Sequence, residues 1–409
     1  MGALLALALT GLPVAGSAQA QSLAQVVREA LRDYPAAAAA RAGAAGAAAE
    51  VERALAARWP TVGVGATAIE QEAAPRRLVA TPSAQYTVYA GGGIEAGVER
   101  AQALQRAAQA RTTATLEEVA LQVAEAYIQW ARQAEVAELS RAHLQALERI
   151  RDDVRRIVEV DAGRSVDLGQ AEVRVNAARL ALEQRQGELA LAGVRLARFR
   201  PQGLPVRPEG LDDEPGVLPD TLPQAFIRVQ ARHPQLAQAL AQAEAADAAV
   251  EQARAQQRPR VAVQMTHQIN PYTLRPGLNT QLNLEMPVFN GGAGSAAVGS
   301  AVEQARAARL AADEQALLVR ERVAAAWTEW ETARRRETLQ QGQERAAQKV
   351  VEGYQLQFRL ARRSLLDLLN IHTEAQGYAE AAAVSRAERR VARVRLGAAL
   401  AELAPAYGR

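Results

Sequence analysis

The sequence predicts an α+β membrane protein built as a doubled half, with long α-helical coiled-coil hairpins and four membrane-length β-strands per chain. Three observations predict it. The chain repeats itself at an offset of about 200 residues: Asp33-Tyr34-Pro35 returns as Arg232-His233-Pro234, and Val119, Val123, Tyr127 and Trp130 return as Val319, Val323, Trp327 and Trp330. Each copy carries two segments that alternate apolar and polar side chains over about 9–12 residues, the length a tilted transmembrane strand needs. Each copy then runs without proline, from about 94 to 161 and from about 294 to 360, with apolar residues at coiled-coil spacing. A repeat this long is no solenoid unit, since those recur every 20–50 residues.

Composition narrows the class further. Apolar residues make up 49% of the chain but aromatics only 4%, too few large side chains for a thick globular core. Alanine-rich, charge-rich sequence suits helices packed closely side by side. The 48 basic and 45 acidic residues nearly cancel, so nothing calls for nucleic acid. No cysteine is present, which excludes disulfides, thiol catalysis and cysteine metal sites.

The expected organisation has four parts. Residues 1–20 read as a signal peptide, with an apolar run from Leu4 to Val14 and a small-residue cleavage pattern at Ala18-Gln19-Ala20, although no Lys or Arg precedes the run. Residues 21–210 form the first structural repeat, 211–221 a connector rich in Pro, Gly and Asp, and 222–409 the second repeat.

Within the first repeat, residues 22–58 read as one helix that ends before Trp59-Pro60. Strands follow at about 61–71 and 83–90, joined by a loop containing Pro75 and Pro82. A helix then runs to about Asp161; at 1.5 Å per residue it is roughly 100 Å long. Gly163 and Asp167 mark a turn, and a return helix spans about 166–198. The second repeat follows suit: helix 222–257, strands at about 260–270 and 278–289, helix 294–360, a turn at 361–365 and a return helix to about 403.

The strands carry the functional argument. Val261, Val263, Met265 and Ile269 alternate with Gln264, Thr266 and Gln268; Leu278, Leu282, Leu284 and Met286 alternate with Asn279, Gln281, Asn283 and Glu285. Lipid outside and a water-filled lumen inside demand this pattern, but so does a half-buried soluble sheet. The signal segment, with no later run long and apolar enough for a spanning helix, favours an outer-membrane barrel. Lipid tolerates no open sheet edge, and single-chain barrels begin at about eight strands. Four strands therefore need partners: eight from a dimer or twelve from a trimer.

Leu23 to Pro35, Tyr86 to Gly97 with its second copy Met286 to Gly292, Asp161 to Glu172, and Tyr354 to Asn370 occur in an order that resembles the TolC-like outer-membrane channel family across residues 22–403. The tip at 354–370 is most similar to the type I secretion branch. The resemblance implies a homotrimer with a twelve-strand barrel in outer-membrane lipid and a helical tunnel through the periplasm. It implies a passive duct of a Gram-negative cell, served by a periplasmic adaptor protein and an inner-membrane ABC or proton-driven transporter. The cargo it implies is protein of the adhesin kind, with small-molecule or metal efflux as the alternative.

The resemblance also places a periplasmic gate. Its Arg matches Arg363, the partner Asp is Asp167, and the first position of the acidic ring is Asp367. The usual Tyr is Phe358, the second ring position is Asn370, and the usual turn glycine is Ala361. One link is thereby lost and the ring is thinner, so the gate is expected to latch less tightly and to select cations less strongly. Carboxylates converging on one axis still attract cations.

Other chemistry finds no support in the residues. His143, His233, His267 and His372 lie far apart and lack metal-ligand spacing, so they are expected at the surface or lumen. Gly91-Gly92-Gly93 lacks the Lys-Ser/Thr end of a phosphate loop. No nucleophile constellation occurs, and no enzyme activity or cofactor is expected. The rival reading is a soluble periplasmic coiled-coil adaptor; adaptors carry one hairpin, whereas this chain carries two.

Overall fold

The computed structural model describes residues 21–71, 74–200, 203, 208–211, 216–230, 233–269 and 276–408. The expected signal segment, part of the expected connector, Arg232 and the expected Asn270-Pro271-Tyr272 loop lie outside the described residues. In chain order the first half contains β1 (Gln21–Ser22), α1 (Leu23–Asp33), α2 (Pro35–Ala56), β2 (Thr61–Gln71), β3 (Ala74–Tyr89), α3 (Gly93–Val160), a 3-10 turn (Ala162–Arg164) and α4 (Ser165–Ala197). Then come β4 (Pro208–Glu209), α5 (Leu222–Gln230), α6 (Pro234–Ala255), β5 (Arg260–Ile269), β6 (Pro276–Glu285), α7 (Ala293–Arg359), α8 (Leu365–Ala399) and α9 (Leu403–Tyr407).

The expected helices 22–58 and 222–257 are each broken in two. Tyr34 and His233 take extended backbone, with φ/ψ of −69/134° and −68/123°, and Pro35 and Pro234 open the next helices. A proline lacks the N–H that would continue a helix and pushes the residue before it out of helical space. At the first helical position that missing N–H costs nothing. Arg41 reinforces the first break by donating to the carbonyls of Leu31 (2.6 Å) and Arg32 (3.1 Å).

Strand ends also differ from expectation. The span containing Pro75 and Pro82 is not a loop but the first half of β3, paired with β2 from Thr61↔Gln85 to Ile69↔Arg77. Pro82 sits opposite Val64, one residue before pairing of β3 with β5 begins at Ser83↔Thr266. One side of the strand has no β5 partner there, which is where a proline is tolerated. β6 starts two residues early and stops at Glu285, so Met286 to Phe289 lie beyond it. Pro287 cannot donate to a ladder. The return helix α8 ends at Ala399 rather than near 403, because Ala401 adopts φ 56° and Glu402 starts α9.

The four long strands form one antiparallel sheet in the order β2-β3-β5-β6. Register alone segregates its faces. Val62, Ala84 and Met265 share a row, as do Tyr86, Val263 and Leu282. The opposite face aligns Thr61, Gln85, Gln264 and Gln281. The sheet is open: among the described residues the outer edges of β2 and β6 pair with nothing.

The chain divides into two compact units, and each repeat contributes to both. The sheet unit comprises Leu31–Leu121, Pro215–Glu331 and Ala392–Arg409. Its helical core gathers Ala225, Val229, Val319, Val323, Leu396 and Leu400, with Trp327 and Trp330 packed against it. The helical unit comprises the rest, with Gln122–Glu214 and Thr332–Val391 as its main segments. There Leu147, Val154, Val175, Leu365, Leu368 and Leu369 form the core around the hairpin turns. Tyr127 is wholly buried, and its hydroxyl exchanges hydrogen bonds with the backbone of Glu209: 2.9 Å to the carbonyl and 2.8 Å from the N–H. The β1–β4 pairing beside it was invisible in the sequence, because two-residue strands have no period.

Candidate functional site

The second hairpin turn is built by a helix-ending motif. The N–H of Arg362 bonds to the carbonyl of Gln357 (2.8 Å) and that of Ala361 to Phe358 (2.9 Å), with Ala361 left-handed at φ 56°. Glycine normally takes that position; the Cβ of alanine costs about 1 kcal/mol there. Ser364 then caps α8 by accepting from the N–H of Asp367 at 3.2 Å. Residues of the expected gate thus sit on a tightly specified turn. In the first hairpin, Asp161 caps the 3-10 turn by accepting from the N–H of Gly163 at 3.1 Å.

Arg363 and Asp167 do not pair within the chain. Asp167 accepts from Arg164, one turn away, at 2.9 Å. Arg363 donates to Gln357 at 3.0 Å, lies 3.8 Å from Asp367, and covers the ring of Tyr354 at 4.3 Å. Each charge takes the nearest partner on its own hairpin, since i,i+3 and i,i+4 neighbours meet without ordering a second element. Phe358 packs against the core of this unit. Asn370, expected at the second acidic-ring position, accepts from Arg174 of the first hairpin at 3.0 Å. It is one link between the two hairpins. Arg185 on α4 adds another, 2.7 Å from Glu380 on α8.

Two contributors escaped the sequence reading. Tyr354 stands one turn before Phe358 on the same face, and that i,i+4 spacing was the available signal. Arg174 carried no signal, because its partner lies 196 residues away.

The sheet presents the second candidate surface. Val62, Val64, Leu78, Leu282 and Leu284 are each more than two-thirds exposed, on one face. A contiguous exposed apolar face of this kind marks a membrane or partner surface. The opposite face is a polar network. Asn283 donates to Gln264 (3.5 Å), Arg260 to Thr87 (3.3 Å) and the Thr61 hydroxyl to the Gln85 carbonyl (3.4 Å).

Histidines behave differently from expectation. His233 and His372 are buried rather than at a surface or lumen. Burial, aided by Arg322, pushes His233 down to about 4. Burial, aided by His143 and Arg149, does the same to His372. The Nε2 of His372 lies 2.9 Å from the amide nitrogen of Gln355. Among the described residues no group of three or more His, Cys, Asp or Glu is placed to hold a metal ion. Glu117 is also buried, and its carboxylate accepts from the N–H groups of Leu403 (3.1 Å) and Ala404 (3.2 Å) at the start of α9. Burial raises its pKa to about 7.

An open sheet with one apolar and one polar face, joined in sequence to two long helical hairpins, defines the class: a strand-and-hairpin membrane protein. No helix is long and apolar enough to cross a membrane among the described residues. The sequence profile described as outer membrane efflux protein matches residues 26–199 and 227–403. No curated protein matches the chain.

Solved structures with the same fold include a membrane protein from Pseudomonas aeruginosa, at 18% identity and TM-score 0.79, covering 92% of both chains. The outer membrane protein VceC from Vibrio cholerae matches at 19% and 0.77, covering 93% of this chain and 96% of that one. The MtrE outer membrane channel of Neisseria gonorrhoeae matches at 17% and 0.78, covering 93% and 88%. The chain belongs to the outer membrane efflux protein family, whose members are channels of the Gram-negative outer membrane, not enzymes. They work with periplasmic adaptors and inner-membrane transporters in tripartite systems.

Proposed function

We propose that three copies of this chain form a passive exit duct, with twelve strands closed as a barrel in the outer membrane and six helical hairpins forming a periplasmic tunnel. The observation that carries the reading is the open four-stranded sheet, apolar and exposed on one face and amide-lined on the other. Unpaired N–H and C=O groups on its two edges are untenable in lipid, and pairing β2 of one copy with β6 of the next removes them. The family description names efflux, and we take efflux as the cargo class. Type I secretion, which the 354–370 tip resembles, is the second reading and uses the same duct. An adaptor and an ABC or proton-driven transporter supply selection and energy, as in the tripartite systems in which the family's channels work.

The gate belongs to the same proposal. In this reading Asp167, Phe358, Arg363, Asp367 and Asn370 line the periplasmic end, and Arg174–Asn370 and, farther along the helices, Arg185–Glu380 hold the hairpins of one chain together. Opening by a partner breaks these links. The test is purification in detergent followed by planar-bilayer recording. The expected result is a heat-sensitive trimer with discrete cation-preferring conductance. A chain that stays monomeric and soluble without detergent, and conducts nothing, overturns the reading.

A further inference from the structure

On the apolar face of the sheet, beside the end of α2, lies a cleft of about 470 Å³. Its walls are Trp59, Pro60, Tyr86, Val263 and Met265, and Arg58 stands at its rim. Register explains the hollow. Ala84 lies between Val62 on β2 and Met265 on β5, so a small side chain is flanked by larger ones. Trp59 is placed by the turn that closes α2, where its N–H bonds to the Ala56 carbonyl at 3.0 Å. It nevertheless remains 73% exposed, a large apolar surface with no intramolecular use. The Arg58 guanidinium is exposed and carries no ion pair among the described residues.

The second repeat has no equivalent. Its counterpart of Trp59 is Arg258, which donates to the Gly91 carbonyl at 2.8 Å, and its counterpart of Arg58 is the uncharged Gln257. The cation and the indole are therefore a feature of one copy, not of the strand-joining turn in general.

We propose that this cleft binds one anionic phospholipid, with an acyl chain along Trp59, Tyr86, Val263 and Met265 and the phosphate at Arg58. Three features select a lipid over other occupants. The cleft is continuous with the exposed apolar face formed by Val62, Val64 and Leu282. It lies at the strand ends nearest the helices, where indole and phenol rings seat at a lipid–water boundary. A guanidinium forks onto phosphate oxygens, and a lipid without a headgroup ammonium leaves that contact unopposed. The proposal rests on the sheet being the membrane-embedded part, on the leaflet facing the helices.

The test is tryptophan fluorescence of the full chain in vesicles containing brominated phosphatidylglycerol or brominated phosphatidylcholine. The chain has four tryptophans, so the contribution of Trp59 is taken as the difference from Trp59→Phe. The expected result is quenching by both lipids, with phosphatidylglycerol effective at about fivefold lower mole fraction, the preference that one arginine–headgroup contact yields. Arg58→Gln keeps the quenching and loses the preference. Equal quenching by both lipids overturns the site and leaves the membrane assignment standing. Absence of quenching in protein that floats with the vesicles means a second copy covers the cleft, and also overturns the site. Failure to float with vesicles overturns the membrane assignment itself.

Discussion

Glu117→Gln tests how the carboxyl-terminal helix α9 is held. The Glu117 carboxylate is 5% exposed and accepts from two backbone N–H groups at the start of α9, where Leu403 and Tyr407 are buried. Desolvation raises its pKa, the two N–H groups oppose that, and nearby Glu402 adds to it; the balance lifts it from 4.5 to about 7. A carboxyl that binds its proton more tightly in the folded state stabilises the fold fully below pH 4.5, and that contribution is lost as pH rises through about 7. Between pH 5.5 and 8.5 the loss is about 2 kcal/mol. The glutamine amide of the variant retains an acceptor oxygen and does not ionise. Thermal unfolding in detergent, followed by circular dichroism at both pH values, should show the wild type weakening by that amount relative to the variant. The variant should be the more stable at pH 8.5. Parallel pH profiles would refute the reasoning, since Glu117 would then titrate alike in folded and unfolded chain.

Three further outcomes are expected. Ala361→Gly removes a Cβ from a left-handed turn at φ 56° and should stabilise the second hairpin by about 1 kcal/mol, read as about fivefold slower protease cleavage at the turn. His372 has its pKa depressed to about 4, so its contribution is present above pH 6.5 and lost as pH falls through about 4. It faces His143 and Arg149 of α3 and Gln355 of α7, and His372→Gln should remove about 3 kcal/mol of acid destabilisation over that window, measured by the same unfolding assay. Asp367→Ala should lower cation preference in planar bilayers by about twofold or more, since one carboxylate per chain is lost from the gate; unchanged reversal potentials would remove Asp367 from the constriction.

Periodic features were legible and punctual ones were not. Alternation along Val261 to Gln268 and Leu278 to Glu285 located two strands within a few residues, because sheet faces impose a period of two. The seam Val119, Val123, Tyr127 and Trp130 is buried as its spacing implied. Pro75 and Pro82 misled, because a proline reads as a break unless the unpaired side of its strand is known. Tyr34-Pro35 and His233-Pro234 repeat at an offset of 199, and each breaks its helix because the residue before a proline leaves helical space. At the candidate gate, Asp167 meets its chain-local neighbour Arg164, an i,i+3 contact that the spacing itself makes available. Long-range contacts such as Arg174–Asn370 and Glu117–Leu403 depend on packing that no sequence window contains.

The central claim is that this sheet is one third of a closed barrel, and disulfide trapping tests it most directly. The chain has no cysteine of its own, so engineered pairs report without background. A cysteine replaces Gly63 on the free edge of β2, and a second is moved along β6 from Gln281 to Leu284. Bridging requires the two Cα atoms within about 7 Å, which adjacent strands satisfy and opposite edges of one open sheet do not. The account predicts that at least one register, oxidised in membranes, gives a non-reducing gel ladder that stops at the covalent trimer. Monomer alone at every register, a ladder that stops at dimer, or one that continues past three chains would contradict it.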